Sequence, residues 1–209
     1  MMEANAELLA RAQSLFSAKR PAEAERIYLQ LLTQTHVIDF EYDEWLKGVA
    51  DCYRMLDRPR EAGWVYFYLH AFERAAEVFT VAQSPLEVAR MQELQARRSS
   101  GEAAKRLFGA AAKSYAEAGR HVQAAICHAQ ADDHRAERRA WERVLRDPRL
   151  RGRNYEQALV HFNLGLAAGK DGDKDEGNRH QIVDDKTLKS KKDRRDRALQ
   201  IVRDAGARQ

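Results

Sequence analysis

Apolar residues recur at intervals of three and four along most of this chain, and they do so in a form that returns. Leu8, Ala12 and Leu15 are followed, after "KRP", by Ala24, Tyr28 and Leu31. Leu46, Ala50 and Tyr53 precede "LDRPRE", then come Ala62, Tyr66 and Leu69. Phe108, Ala112 and Tyr115 precede "EAGRH", then come Ala124, His128 and Ala131. This spacing places each trio on one face of a helix, and no stretch alternates with period two for long enough to make a strand. Each unit is thus a helix with a small residue between two large ones, a turn, and a helix opening on alanine. Small residues let antiparallel helices approach closely while large ones fill the space beside the crossing. One such hairpin cannot bury its faces alone, so copies must stack. The expected fold is all-α: an antiparallel helical-hairpin solenoid.

The repeats are irregular. Pro21 sits where a helix can begin, because its missing N–H would be unpaired there anyway. Between Leu69 and Ser100 the pattern compresses, with Phe72, Ala76 and Phe79 following the previous helix almost directly. An extra helix intrudes between Asp133 and Arg146. Past Lys174 the chain turns polar on every side, with Lys189/Asp193, Lys192/Asp196 and Asp193/Arg197 spaced for surface ion pairs. Leu199 and Val202 form a short amphipathic end. The expected division is a repeat domain over 1–173 and a basic, polar C-terminal helix or cap over 174–209.

Composition agrees. Of 209 residues, only 4 are proline and 11 glycine, while 44% are apolar and 33% charged. Such a chain can build a core and keep a wet surface. No stretch reaches the roughly 18 apolar residues of a membrane span, and "MMEANAELLARAQ" is not a secretory signal. Cys52 and Cys127 lie far apart on helical patterns, as reduced core thiols of a cytoplasmic protein would. A net charge of +4 permits an acidic partner without demanding nucleic acid.

The hairpins resemble the tetratricopeptide-repeat (TPR) family, whose unit is a helical hairpin of about 34 residues. "NLG" at Asn163–Gly165, followed by "GD" at Gly172–Asp173, is similar to the first helix and turn of such a repeat. A related helical-repeat architecture, that of the soluble NSF attachment proteins, stands as the alternative. The TPR resemblance implies a non-enzymatic adaptor or scaffold that holds a protein or peptide partner, or a second copy of itself. It also implies an inner groove lined by Leu9, Gln13 and Phe16, by Lys47, Asp51 and Arg54, and by Lys113. That mixture does not match the lysine/asparagine clamp with which some relatives hold a C-terminal carboxylate.

Chemistry-bearing motifs are few. "HFNLGLAAGKDGDKDEG" (His161–Gly177) has three residues between Gly165 and Gly169 where a phosphate loop needs four, and Asp171 follows Lys170. Asp171, Asp173 and Asp175 have calcium-loop spacing, but Glu176 stands in place of the required glycine and Ile182 in place of the bidentate glutamate. A helix running into a turn is the expectation that remains. His121, Cys127, His128, Asp132 and His134 cluster without the spacing of a zinc site, and His128 aligns with Tyr28 and Tyr66 of the other hairpins. No nucleophile–base pairing is evident, so no catalytic residue, metal or cofactor is expected.

Two surface features stand out. Ten of the seventeen aromatic residues fall between Phe40 and Phe79, and "WVYFYL" (Trp64–Leu69) is apolar all round. If Ala62, Tyr66 and Leu69 face the partner helix, then Trp64, Phe67 and Tyr68 point elsewhere. Either Phe40, Tyr42 and Phe72 cover them or they form a docking patch. The second feature is "DHRAERRAWERVLRDPRLRGR", with eight arginines against four carboxylates. Arg135, Arg138, Arg139 and Arg143 would form a basic ridge for nucleic acid if they share a face, although a solvated, ion-paired face is the simpler expectation.

Overall fold

The computed structural model describes residues 2–34 and 40–172. Every regular element among them is helical: α1 (Met2–Ser17), α2 (Pro21–Gln34), α3 (Phe40–Met55), α4 (Pro59–Tyr68), α5 (Phe72–Val81), α6 (Pro85–Arg98), α7 (Gly101–Glu117), α8 (His121–Gln130), α9 (His134–Leu145) and α10 (Asn154–Lys170), with a 3-10 turn at Pro148–Leu150. The chain divides into two compact units, residues 1–118 and 119–209. In the first, each helix from α1 to α7 packs on its neighbour in the chain; in the second, α8 packs on α9 and α9 on α10. This is an all-α solenoid arrangement within each unit. The expected boundary at 173/174 and the polar C-terminal helix lie at or beyond the end of the described residues.

Five of the turns between described helices share one geometry. Lys19, Asp57, His70, Gln83 and Asp132 have positive φ, and so has Gly119. At each of the first five, that residue's N–H donates to a carbonyl three residues back and the next residue's N–H to one five back, as with Lys19 to Phe16 and Arg20 to Leu15. These are Schellman caps, which satisfy the helix's last carbonyls and reverse the chain. The carbonyl after the positive-φ residue then starts the next helix: Arg58 O accepts from Ala62 N–H, Ala71 O from Ala75 N–H and Ser84 O from Val88 N–H. Asp57, His70 and Gln83 recur at a spacing of 13. The pattern compresses after Leu69 because α4 and α5 have only ten residues each and end in the same turn, and α6 follows with fourteen.

Around most of these turns the sequence places small residues at matched offsets, although Val88 and Glu137 stand five after Gln83 and Asp132. Seven residues before the positive-φ position stand Ala12, Ala50, Gly63, Ala112 and Ala125, all buried. Five after it stand Ala24, Ala62, Ala75 and Ala124, all fully buried. Ala12 and Ala24 share a core with Leu31, Trp45 and Val49; Ala50 and Ala62 share one with Tyr66, Phe79 and Met91. Close approach is literal on α3 as well: a β-carbon on Gly48 would clash with the hydroxyl end of the Tyr28 ring. In the second unit, Ala125, Trp141, Val144, Val160 and Leu164 make the core.

Candidate functional site

The aromatic segment of α4 is part covered and part open. Tyr66 is buried, and its hydroxyl donates to Asp51 Oδ1 at 2.8 Å. Trp64 meets Phe79 edge-on at 5.3 Å and Phe67 at 5.7 Å between centroids, yet remains 37% exposed. Phe67 is half-buried against the α3–α6 core and touches Phe72 at 6.1 Å. Tyr68 leans on Phe67 at 5.8 Å and is 73% exposed. The two alternatives for this segment therefore divide by residue: Phe67 belongs largely to the core, Tyr68 to the surface, and Trp64 straddles both. The ring that covers Trp64 is Phe79.

The residues expected to line a groove lie on α1, α3 and α7. Leu9 and Phe16 are half-buried and pack on the first core, whereas Gln13, Lys47, Arg54 and Lys113 are exposed. Asp51 is engaged on two sides, accepting from Tyr66 and lying 3.7 Å from Arg54. Its bond to Tyr66 helps hold α3 to α4. Burial first, then that carboxylate, raises the Tyr66 phenol.

On α9 the structure sorts the arginines. Arg135, Arg139 and Arg143 are exposed, and their four-residue spacing puts them on one helix face. None of the three has an ion-pair partner among the described residues. Arg138 is directed elsewhere, 3.7 Å from Asp171 and 3.9 Å from Glu142. Trp141 is buried in the core and so offers no ring beside the arginine stripe.

Gly165, Gly169 and Lys170 lie within α10, so the first part of the His161–Gly177 stretch is helix rather than phosphate loop. The helix runs into a turn at Asp171 and Gly172, with Gly172 at φ +90. Asp173, Asp175 and Glu176 lie outside the described residues. Asp132 occupies a positive-φ turn position, and it is Asp133 whose Oδ2 comes within 4.0 Å of His128 Nδ1. His134 Nδ1 pairs instead with the buried Glu137 at 3.1 Å. No group of three potential metal ligands gathers among the described residues.

Sequence spacing overlooked two stacked arginines. Arg58 lies over the Tyr53 ring at 4.3 Å, and Arg98 lies over Phe72 at 4.5 Å. The first pair was legible, because the residues flank one turn. The second joins residues far apart in the chain, and no local pattern announces it.

No protein-family model matches the chain, and no curated protein does. Among solved structures it is similar to the crystal structure of BtubC (BKLC) from P. vanneervenii, at 14% identity and a TM-score of 0.40, over 87% of this chain and 78% of that one. What the chain does has to be read from its own residues.

Proposed function

We propose that this protein is a non-enzymatic adaptor or scaffold, built on a TPR-like solenoid, that holds a protein or peptide partner or a second copy of itself. The observation that carries the reading is Tyr68, a large ring left 73% exposed at the edge of the Trp64–Phe67 aromatic array. Aromatic anchors backed by packed neighbours dominate binding energy at protein interfaces, and a ring supported from below loses little conformational freedom when it is covered. The groove residues Phe16, Lys47, Asp51, Arg54 and Lys113 extend the candidate contact surface. Cys52 and Cys127, both buried and not disulfide-bonded, fit a cytoplasmic protein. The test compares the parent chain with Tyr68→Ser. Retention of proteins from host extract is read by mass spectrometry, and self-association by sedimentation. The parent should retain a partner or sediment as a dimer, and the variant should lose it at an unchanged melting temperature. A parent that sediments as a monomer and retains nothing sinks the reading.

A second reading rests on the Arg135, Arg139 and Arg143 stripe, which offers nucleic-acid phosphates three guanidiniums on one face of α9. Its mark would be binding that weakens steeply with salt and is lost on charge removal from that stripe.

A further inference from the structure

Two arginines of the first unit share an arrangement, and they differ in one respect. Stacking on a ring shields one face of a guanidinium from water while its N–H edge stays open to acceptors. For Arg58 that edge is taken by two carboxylates, Glu25 Oε1 at 3.2 Å and Glu61 Oε1 at 3.1 Å. Arg98 stacks on Phe72 in the same way, 4.5 Å from the ring centre, and has no carboxylate partner among the described residues. The adjacent Arg97 is bonded to Glu93 at 2.7 Å, so α6 does not lack acids. None of them is placed to serve Arg98.

Arg98 instead lines a cavity of about 340 Å³ between the start of α5 and the end of α6, walled also by His70, Glu73, Arg74, Gln95 and Ser99, with Phe72 beneath. Arg74 likewise makes no ion pair among the described residues, so two guanidiniums face one wall carboxylate, Glu73. His70, Glu73, Arg74 and Arg98 are exposed, and the cavity opens at the surface. Its aromatic floor continues from Phe72 to Phe67 at 6.1 Å, and from Phe67 to the exposed Tyr68 at 5.8 Å.

We propose that this cavity receives a carboxylate side chain from an acidic segment of a partner protein, bound by Arg98 in the manner in which Glu25 and Glu61 bind Arg58. The protein itself supplies the template for the ligand: a ring-stacked guanidinium of this fold takes carboxylate. A chain segment is the fitting source, because Phe72 at the cavity and the exposed Tyr68 both pack on Phe67, close enough for one segment to reach both. The inference deepens the docking function proposed above and rests on it.

The experiment titrates a fluorescent ten-residue glutamate peptide into the full chain and reads polarisation. The parent should bind it saturably, and Arg98→Gln should weaken binding about ten-fold, as loss of one charge-assisted bond does. Arg139→Gln, which removes an equally exposed charge on α9, should change it little. Equal losses from both variants would mean diffuse attraction to a basic protein and would overturn the proposal, as would an Arg98→Gln variant that binds like the parent. Glutarate or inorganic phosphate displacing the peptide at equal concentration would make this a small-anion pocket and overturn the protein occupant. Tyr68→Ser separates the two ideas. If Tyr68→Ser abolishes association with the partner while Arg98→Gln leaves peptide binding intact, only the cavity proposal fails. If the reverse holds, only the aromatic patch fails.

Discussion

The ring of Phe79 lies directly over Gly63, so close that a β-carbon added to Gly63 would sit 2.7 Å from two of its atoms. Both residues are buried, one on α4 and one on α5, and the glycine is what lets the two short helices meet. Helices otherwise disfavour glycine by about 1 kcal/mol relative to alanine. At this point close approach outweighs that preference.

Gly63→Ala is therefore expected to destabilise the first unit, since overpacking of about 1–3 kcal/mol exceeds the propensity gain. Gly169→Ala is the control. That glycine is also helical, but a β-carbon there meets nothing within 4 Å, so the variant should hold or gain stability. Chemical denaturation of both checks the contrast. Two variants that behave alike would mean Phe79 moves aside freely.

The aromatic array gives a second contrast. Phe67→Ser removes a half-buried ring from a core shared with Tyr66 and Phe79, and a loss of about 2–4 kcal/mol is expected from a cavity of that kind. Tyr68→Ser removes a ring that is 73% exposed and should shift stability by no more than about 0.5 kcal/mol. Thermal melts of the single variants decide it. A double substitution would confuse the two effects.

The turns give a third. Gln83 adopts φ +51, a conformation that residues with a β-carbon rarely take. Gln83→Gly is expected to raise stability by about 0.5–1 kcal/mol, because relief of the left-handed strain exceeds glycine's entropic cost in the unfolded chain. A fall in the denaturation midpoint would show that the Gln83 side chain contributes contacts that matter more.

Much of the fold was legible because helix starts carry local signals. Pro21 and Pro59 mark the openings of α2 and α4, and the alanines after them mark the buried face. The break between α5 and α6 was missed although Pro85 opens α6 in the same way. Its turn residue is Gln83, which by type does not advertise a positive φ. α3 was read as one stripe, Leu46, Ala50 and Tyr53, yet it also buries Trp45, Val49 and Cys52 against α2. A helix between two neighbours has two apolar faces, and a single-period reading finds one. At the surface, composition identified the aromatic segment, but Phe67 and Tyr68 are adjacent letters of similar type. Only the position of Phe72 tells them apart. The Arg98 stack had no local signal, because its partner lies on a different helix.

Between α6 and α7, Glu93 accepts from the Tyr115 hydroxyl at 2.6 Å and from Arg97 at 2.7 Å. Burial alone would raise this carboxyl, but those two bonds outweigh it and hold the group below its ordinary 4.5. A folded pKa below the unfolded one means stability that is present above 4.5 and lost as pH falls through the folded value. Tyr115→Phe is expected to cost about 1 kcal/mol at neutral pH and to flatten the stability curve below 4.5. Parallel acid titrations of parent and variant would show it; identical slopes would remove Glu93 from the account.

Cys52 supplies the alkaline counterpart. Its thiol is fully buried beside Glu25 and Asp51. Burial first, then the two carboxylates, pushes it from 9.0 up to about 12. The unfolded chain therefore releases this proton three units before the folded one does. Below pH 9 the thiol is neutral in both states and makes no pH-dependent contribution. From 9 upward the unfolded state gains by ionising while the folded state does not, so stability falls by about 1.4 kcal/mol per unit until pH approaches 12. Cys52→Ala cannot ionise and should show a shallower decline between pH 9 and 10, below the ordinary ionisation of tyrosine. The same shift predicts that iodoacetamide at pH 8 modifies Cys52 only after denaturation, since the thiolate is the nucleophile. Rapid alkylation of Cys52 in the native protein, located by peptide mapping, would mean that the α2–α3 core opens far more readily than its packing implies.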